Sequence, residues 1–151
     1  MGELLERDPE VSTIDNALSA AKGGTGRVVL VRAPAGLGKS SLLDAARRHA
    51  ADAGFEPLVA RGRELEREFS FGVARQLFEA RMWSASAAER RRLLQGSAGL
   101  AAELLGFDAP AARRPEHGSA YPLLHGLLWL SANLAERRPL ALVVDDAHWA
   151  D

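Results

Sequence analysis

A lysine and two serines follow a glycine-rich loop in the run RVVLVRAPAGLGKSS, residues 27–41. The spacing from Ala33 to Ser40 fits the phosphate-binding pattern A/G-x-x-x-x-G-K-S/T. We call residues 33–40 the phosphate loop. Lys39 is expected to reach the β- and γ-phosphates of a nucleotide, and the Ser40 hydroxyl to ligate Mg²⁺. The residues predicted to hold the nucleotide are Ala35, Gly36, Leu37, Gly38, Lys39, Ser40 and Ser41.

Lysine is rare in this chain, since Lys22 and Lys39 are the only lysines among 19 basic residues. A lysine ammonium is a compact point charge, whereas the arginine guanidinium is a planar fork. A lysine at this one position of the loop therefore favours a phosphate site over the alternative, a glycine-rich turn that contains the same letters by chance.

Two adjacent carboxylates, Asp145 and Asp146, end the apolar run LALVV at residues 140–144. In open α/β sheets, ligands bind at the carboxyl ends of the parallel strands. Asp145 is predicted to hold Mg²⁺, and Asp146 is the predicted catalytic residue that orients or deprotonates the attacking water. The alternative is a solvated acidic pair at a strand end. His148 and Asp151 follow closely without an assigned role.

These groups must be positioned by strands and helices in alternation. Apolar runs at residues 28–31, 55–60 and 140–144 predict three parallel strands, and Pro57 predicts an edge position for the second. The segment 61–139 carries helical patterns, although a crossover needs a single helix. We therefore predict one α/β domain over residues 1–151, with a three-layer αβα architecture and a helical insertion between strands two and three.

Composition narrows the function classes further. The net charge of −1 gives no general bias towards nucleic acid or an anionic membrane. The chain has no cysteine, which suits a reducing compartment. Glu3, Glu6 and Asp8 lie where a signal peptide would be basic and then apolar, so no signal peptide is expected. Its longest apolar stretch, residues 123–134, is interrupted and too short to span a bilayer. A cytoplasmic location with no membrane partner is expected.

Four segments carry a family resemblance: LLERDPEV, RVVLVRAPAGLGKSSLLDAARRHA, FSFGVARQLFE and LHGLLWLSANLAERRPLALVVDDAHWAD. With them the chain resembles the N-terminal ATPase module of the large ATP-binding LuxR-type transcriptional regulators. These are signal-transduction ATPases with numerous domains (STAND), related to the AAA ATPases.

The resemblance implies a P-loop NTPase fold that takes ATP and Mg²⁺. It places phosphate and Mg²⁺ on residues 36–41, Mg²⁺ on Asp145 and the hydrolytic role on Asp146. It also places the segment 5–7 against the adenine. Such proteins use ATP binding with slow hydrolysis as a switch that exposes a DNA-binding helix-turn-helix.

The chain differs from these regulators because it ends at Asp151, shortly after the acidic pair of Asp145 and Asp146. Later strands and a DNA-binding domain are expected to be absent, so DNA would be bound only through a domain outside this chain. The first and third strands are then expected either to leave a vacant slot between them, with open edges that favour self-association, or to pair directly. The isolated chain is therefore expected to be poorly stable and to hydrolyse little or no ATP.

Two alternatives to a regulatory nucleotide-binding module stay open: a P-loop kinase or phosphotransferase, and an inactive truncated product.

Overall fold

Five α-helices and two β-strands form the described part of this computed structural model, which covers residues 7–34, 36–64, 70–107 and 120–150. In chain order the elements are α1 (Asp8–Lys22), α2 (Lys39–Asp52), β1 (Glu56–Arg61), α3 (Gly72–Ser84), α4 (Ala87–Leu93), a 3₁₀ helix (Gly96–Ala101), α5 (Tyr121–Ala135), β2 (Leu140–Asp145) and a short 3₁₀ turn (Ala147–Trp149). The architecture is mixed α/β, as expected from the sequence.

The two strands form one parallel sheet. Glu56 lies opposite Leu140 at one end, and Arg61 lies opposite Asp145 at the other. The prediction that the second strand lies beside the third is confirmed. Pro57 is accommodated because, in the part of the chain that the structure describes, β1 has a strand on one side only. The parallel register brings the carboxyl ends of both strands together.

Residues 28–31 do not form a strand, so the prediction of a first strand is wrong. The exposed fraction is 98% for Val28 and 76% for Leu30. A strand needs a hydrogen-bonded neighbour for its backbone groups. Within the described ranges, this run pairs with neither strand of the sheet, whose order is β1–β2. The apolar pattern signals a tendency to be buried but does not supply the partner.

The main hydrophobic core lies between the helices that separate β1 from β2 in the sequence. Its fully buried large side chains come from α3, α4, α5 and the turn after the 3₁₀ helix: Met82, Leu93, Leu105, Leu130 and Leu134. Leu58 joins this cluster from β1. The core therefore anchors the sheet through β1.

Close contact between α5 and the 3₁₀ helix depends on Gly126. A Cβ atom at this position would lie 2.7 Å from the backbone nitrogen of Ala101 and 2.9 Å from the Leu100 Cβ. Such distances are too short for any side chain. The glycine lets α5 approach the backbone of its neighbour, which keeps Leu127 and Leu130 in the core.

Local signals at the helix ends explain where α2 and α4 begin. α2 begins at Lys39, directly after the left-handed Gly38, and ends at Asp52. The Ser86 Oγ accepts a hydrogen bond of 3.2 Å from the Glu89 amide and so caps the N-terminus of α4. α1 begins at Asp8, and its N-terminus has no side-chain cap.

An ion cluster joins α3, α4 and β1 near the start of the sheet. Arg81 donates to Glu56 and, over 2.7 Å, to Glu89, which also accepts from Arg137 over 2.9 Å. The hydrogen bond from Arg81 is the main reason that the pKa of Glu89 lies below its ordinary value. These contacts fix β1 relative to the helices that follow it.

None of the helices in the described ranges combines the length and the apolar character that crossing a membrane requires.

Replacing Leu130 with alanine should destabilise the fold strongly, because its side chain is 0% exposed in the core. Truncation of a buried leucine costs about 2–5 kcal/mol of unfolding free energy. Leu128→Ala is the matched control in the same helix, since Leu128 is 65% exposed. Its cost should stay within about 0.5 kcal/mol. Urea denaturation of both variants measures this, and equal losses would contradict the placement of α5.

Candidate nucleotide site

Two glycines give the phosphate loop its backbone shape. Gly36 has φ of 82° and Gly38 has φ of 73°, both in the left-handed region that other residues adopt only with strain. Gly38 directly precedes α2, whose N-terminus has no side-chain cap. The first amides of a helix lack partners within the helix. At α2 they are left available to an anion.

The Lys39 ammonium is held by the carbonyl groups at the beginning of the loop. Its Nζ atom donates to the carbonyl oxygen of Ala33 over 2.8 Å and to that of Pro34 over 3.1 Å. The side chain thus curls back across the loop that it follows in the sequence. This position places a positive charge beside the loop backbone, where a phosphate would need one.

The loop and the acidic strand end meet through side chains. The Ser40 Oγ donates a hydrogen bond of 2.7 Å to the Asp145 Oδ2, across 105 residues of sequence. The other carboxylate oxygen of Asp145 accepts the Asp146 amide over 2.9 Å. The two residues predicted to hold the metal are therefore neighbours in space.

This pair of oxygen donors fits Mg²⁺. A serine hydroxyl and a carboxylate are hard ligands, and Mg²⁺ commonly takes few protein ligands while keeping waters and phosphate oxygens. In the part of the chain that the structure describes, no three His, Cys, Asp or Glu residues gather into a metal-binding group.

Asp146 is paired with an arginine that the sequence analysis did not single out. The Arg61 Nε and Nη2 atoms lie 3.0 Å and 2.9 Å from the Asp146 Oδ2. This hydrogen bond, and then the charges of Asp146 and Asp145, raise the pKa of Arg61 above its ordinary value. Asp146 also has φ of 49°, an uncommon left-handed conformation for a residue with a side chain.

The sequence contains a signal that places Arg61 near the acidic pair. It is the last residue of β1, and parallel pairing of β1 with β2 places it opposite Asp145. If the second and third predicted strands are paired in parallel and in this register, Arg61 lies beside Asp145 and Asp146.

Gly62 permits the close contact between the two strand ends. Its amide donates to the Asp145 carbonyl over 2.9 Å. A Cβ atom at Gly62 would lie 2.5 Å from the Asp146 carbonyl oxygen and 3.1 Å from the Trp149 Cβ. Any larger residue would push the acidic pair away from β1. Trp149 thus packs against this junction.

A cavity of about 730 Å³ lies between the phosphate loop and the end of β2. Its lining comprises Val29, Leu30, Val31, Arg32, Ala33, Pro34, Lys39, Leu43, Val144, Asp145, Asp146, Ala147 and His148. The volume is in the range of small-molecule sites. The cavity brings Lys39 together with the acidic pair, and it adds His148 to the same wall.

The remaining predicted residues lie around this cavity or outside the described ranges. Leu37 is exposed at the tip of the loop, and Ser41 is exposed in the first turn of α2. Ala35, Asp151 and residues 5–6, which the resemblance places near the adenine, belong to the part that the structure does not describe.

Comparison with family models identifies one match. The model described as "AAA ATPase domain" covers residues 3–151, which is almost the entire chain. Comparisons with curated proteins and with solved structures give no match.

Gly62→Ala should disturb the site and lower stability, because the new methyl group would meet the Asp146 carbonyl oxygen at 2.5 Å. Overpacking of this kind costs about 1–3 kcal/mol. Gly26→Ala is the matched control, since a Cβ atom there meets nothing within 4 Å. Thermal unfolding of both variants checks the contact. A Gly62→Ala variant as stable as the control would contradict the junction.

Proposed function

The chain belongs to the AAA ATPase domain family, and on that premise we propose that it binds ATP with Mg²⁺ as the nucleotide module of a regulatory switch ATPase. Family membership implies nucleotide binding. The observation that supports the particular site most directly is the 2.7 Å hydrogen bond between Ser40 and Asp145. It joins the phosphate loop to the acidic strand end.

In this proposal the phosphates are bound by backbone and side chain together. The uncapped N-terminus of α2 offers amide donors and a partial positive charge. The Lys39 ammonium exchanges its carbonyl partners for the terminal phosphates, which accept stronger, charge-assisted hydrogen bonds. Both groups act on the phosphate chain, so they supply affinity that is common to different nucleotides.

Ser40 and Asp145 would hold the metal. When bound, Mg²⁺ supplies positive charge that neutralises the phosphate oxygens. The Ser40 hydroxyl would turn its lone pair to the metal instead of donating its proton to Asp145. The Asp145 carboxylate keeps its second oxygen on the Asp146 amide, which fixes its orientation.

Asp146 is proposed to orient the attacking water and to accept its proton. Its carboxylate is already engaged by Arg61 at 2.9 Å, and this ion pair competes with the water for the same oxygen. Hydrolysis then requires this ion pair to open or to share its acceptor. The pairing supports slow turnover, which suits a switch better than an enzyme with rapid turnover.

We further propose that the switch belongs to a LuxR-type transcriptional regulator, with DNA bound by a helix-turn-helix outside residues 1–151. The strongest parts of this resemblance are the phosphate loop and the segment VVDDAHWAD. The paired carboxylates followed by His148 and Trp149 favour the switch over a small-molecule kinase.

Lys39→Ala should weaken ATP binding by at least about tenfold, since a charge-assisted hydrogen bond contributes roughly 1.5–3 kcal/mol. Lys22→Ala is the matched control, because it removes the other lysine from the exposed end of α1. Titration with a fluorescent ATP analogue measures both variants. Equal affinities for ATP in the two variants would remove the support for the phosphate loop.

Alanine variants of Asp145 and Asp146 should have different effects on ATP binding and ATP hydrolysis. Asp145→Ala should reduce the gain in ATP affinity that Mg²⁺ produces over EDTA, because it removes a metal ligand. Asp146→Ala should leave that gain nearly intact and abolish any phosphate release by the wild-type chain. Calorimetry and a phosphate-release assay separate the two effects. If Asp146→Ala loses affinity as severely as Asp145→Ala, the assigned roles are wrong.

A further inference from the structure

The side chain of Arg7 reaches the phosphate loop from the start of α1. Its Nη2 atom lies 2.5 Å from the carbonyl oxygen of Leu37, to which it donates a hydrogen bond across 30 residues of sequence. The exposed fraction of the Arg7 side chain as a whole is 28%, so most of its surface is covered. The roles proposed above for the loop residues make no use of this contact.

The contact fixes the peptide group between Leu37 and Gly38. The C=O of one residue and the N–H of the next belong to one planar trans peptide and point in opposite directions. A guanidinium that holds the Leu37 carbonyl towards α1 therefore turns the Gly38 amide away from α1. In a loop that binds an anion, amides must face the ligand and carbonyls must face away from it.

Gly38 is the residue at which this orientation matters most. Its φ of 73° lies in the left-handed region, and the residue joins the loop to α2. A Cβ atom at Gly38 would lie 4.0 Å from the Arg7 Nη2 atom. Glycine has many accessible conformations, so an unrestrained loop at this position loses entropy when it closes on a ligand. The Arg7 guanidinium thus lies beside the Gly38 backbone, which is the flexible point of the loop.

Arg7 is itself anchored. Its Nη1 atom donates to the Glu10 carboxylate over 3.1 Å, and its carbonyl oxygen accepts the Val11 amide over 3.0 Å at the start of α1. α1 is in turn joined to α2 by the 2.8 Å pair of Asp15 and His49. The guanidinium is therefore presented by a helix that is tied to the same α2 that follows the loop.

We infer that Arg7 is a positioning residue for the phosphate loop, holding the Leu37 carbonyl turned towards α1 so that the loop is ordered before a polyphosphate binds. This inference rests on the proposed nucleotide-binding function. It differs from the adenine contact that the family resemblance implies for this segment. A residue that orders the loop affects every ligand with a phosphate chain, whatever its base.

The test compares ATP, GTP and inorganic triphosphate as ligands of wild-type and Arg7→Ala chains, each in the presence of Mg²⁺. Arg7→Ala should weaken all three by a similar factor of about tenfold, in line with loss of one charge-assisted hydrogen bond. Arg7→Lys, which keeps a charged donor, should recover part of that loss. Arg48→Ala, which removes the same charge from an exposed position on α2, should bind as the wild type does.

Amide hydrogen exchange of the ligand-free chain supplies a readout that a general loss of stability would not reproduce. In Arg7→Ala the amides of residues 37–40 should exchange faster, whereas those in the middle of α5 should not change. Unchanged exchange in the loop would overturn the inference. So would a loss of ATP affinity with triphosphate affinity intact, because that pattern indicates a contact with the nucleoside. If the wild-type chain binds none of the three ligands, the proposed function fails, and the role of Arg7 fails with it.

Discussion

The hydrogen bond between the Ser40 hydroxyl and the Asp145 carboxylate joins two segments that are 105 residues apart in the sequence. It can form only if α2 lies against β2 and if the strand register holds. Side chains alternate along a strand, so a slip of one residue would turn Asp145 to the opposite face. The pairing of Arg61 with Asp145 along the sheet, and the core that anchors β1, therefore decide whether the candidate site exists.

Two arginines secure the site from different sides. Arg7 holds the Leu37 carbonyl of the phosphate loop, and Arg61 holds the Asp146 carboxylate at the strand end. A guanidinium suits both positions because its several donors form a rigid fork, whereas a lysine ammonium is a mobile point charge. This difference accounts for the use of arginine in the two structural contacts and of lysine at position 39, where the loop is proposed to bind phosphate.

Local sequence patterns predicted the local parts of this structure. The acidic pair at the end of β2 and the position of β1 beside β2 both follow from short motifs and apolar runs. Contacts across long separations were not predictable in this way: Arg61 meets Asp146 across 85 residues. The run at residues 28–31 is predicted to be a strand because it is apolar throughout. Pairing needs a neighbouring strand as well, and composition carries no information about that neighbour.

Iron-mediated cleavage would test most directly whether the loop and the acidic strand end form one metal–nucleotide site. Fe²⁺ replaces Mg²⁺ in the presence of ATP and ascorbate, and the radicals it generates cut the backbone near the metal. Mass spectrometry then locates the cuts. We expect ATP-dependent cleavage at two places, around Ser40 and around Asp145, because these side chains are 2.7 Å apart. Cleavage at only one of them, or cleavage that does not depend on ATP, would contradict a single metal–nucleotide site.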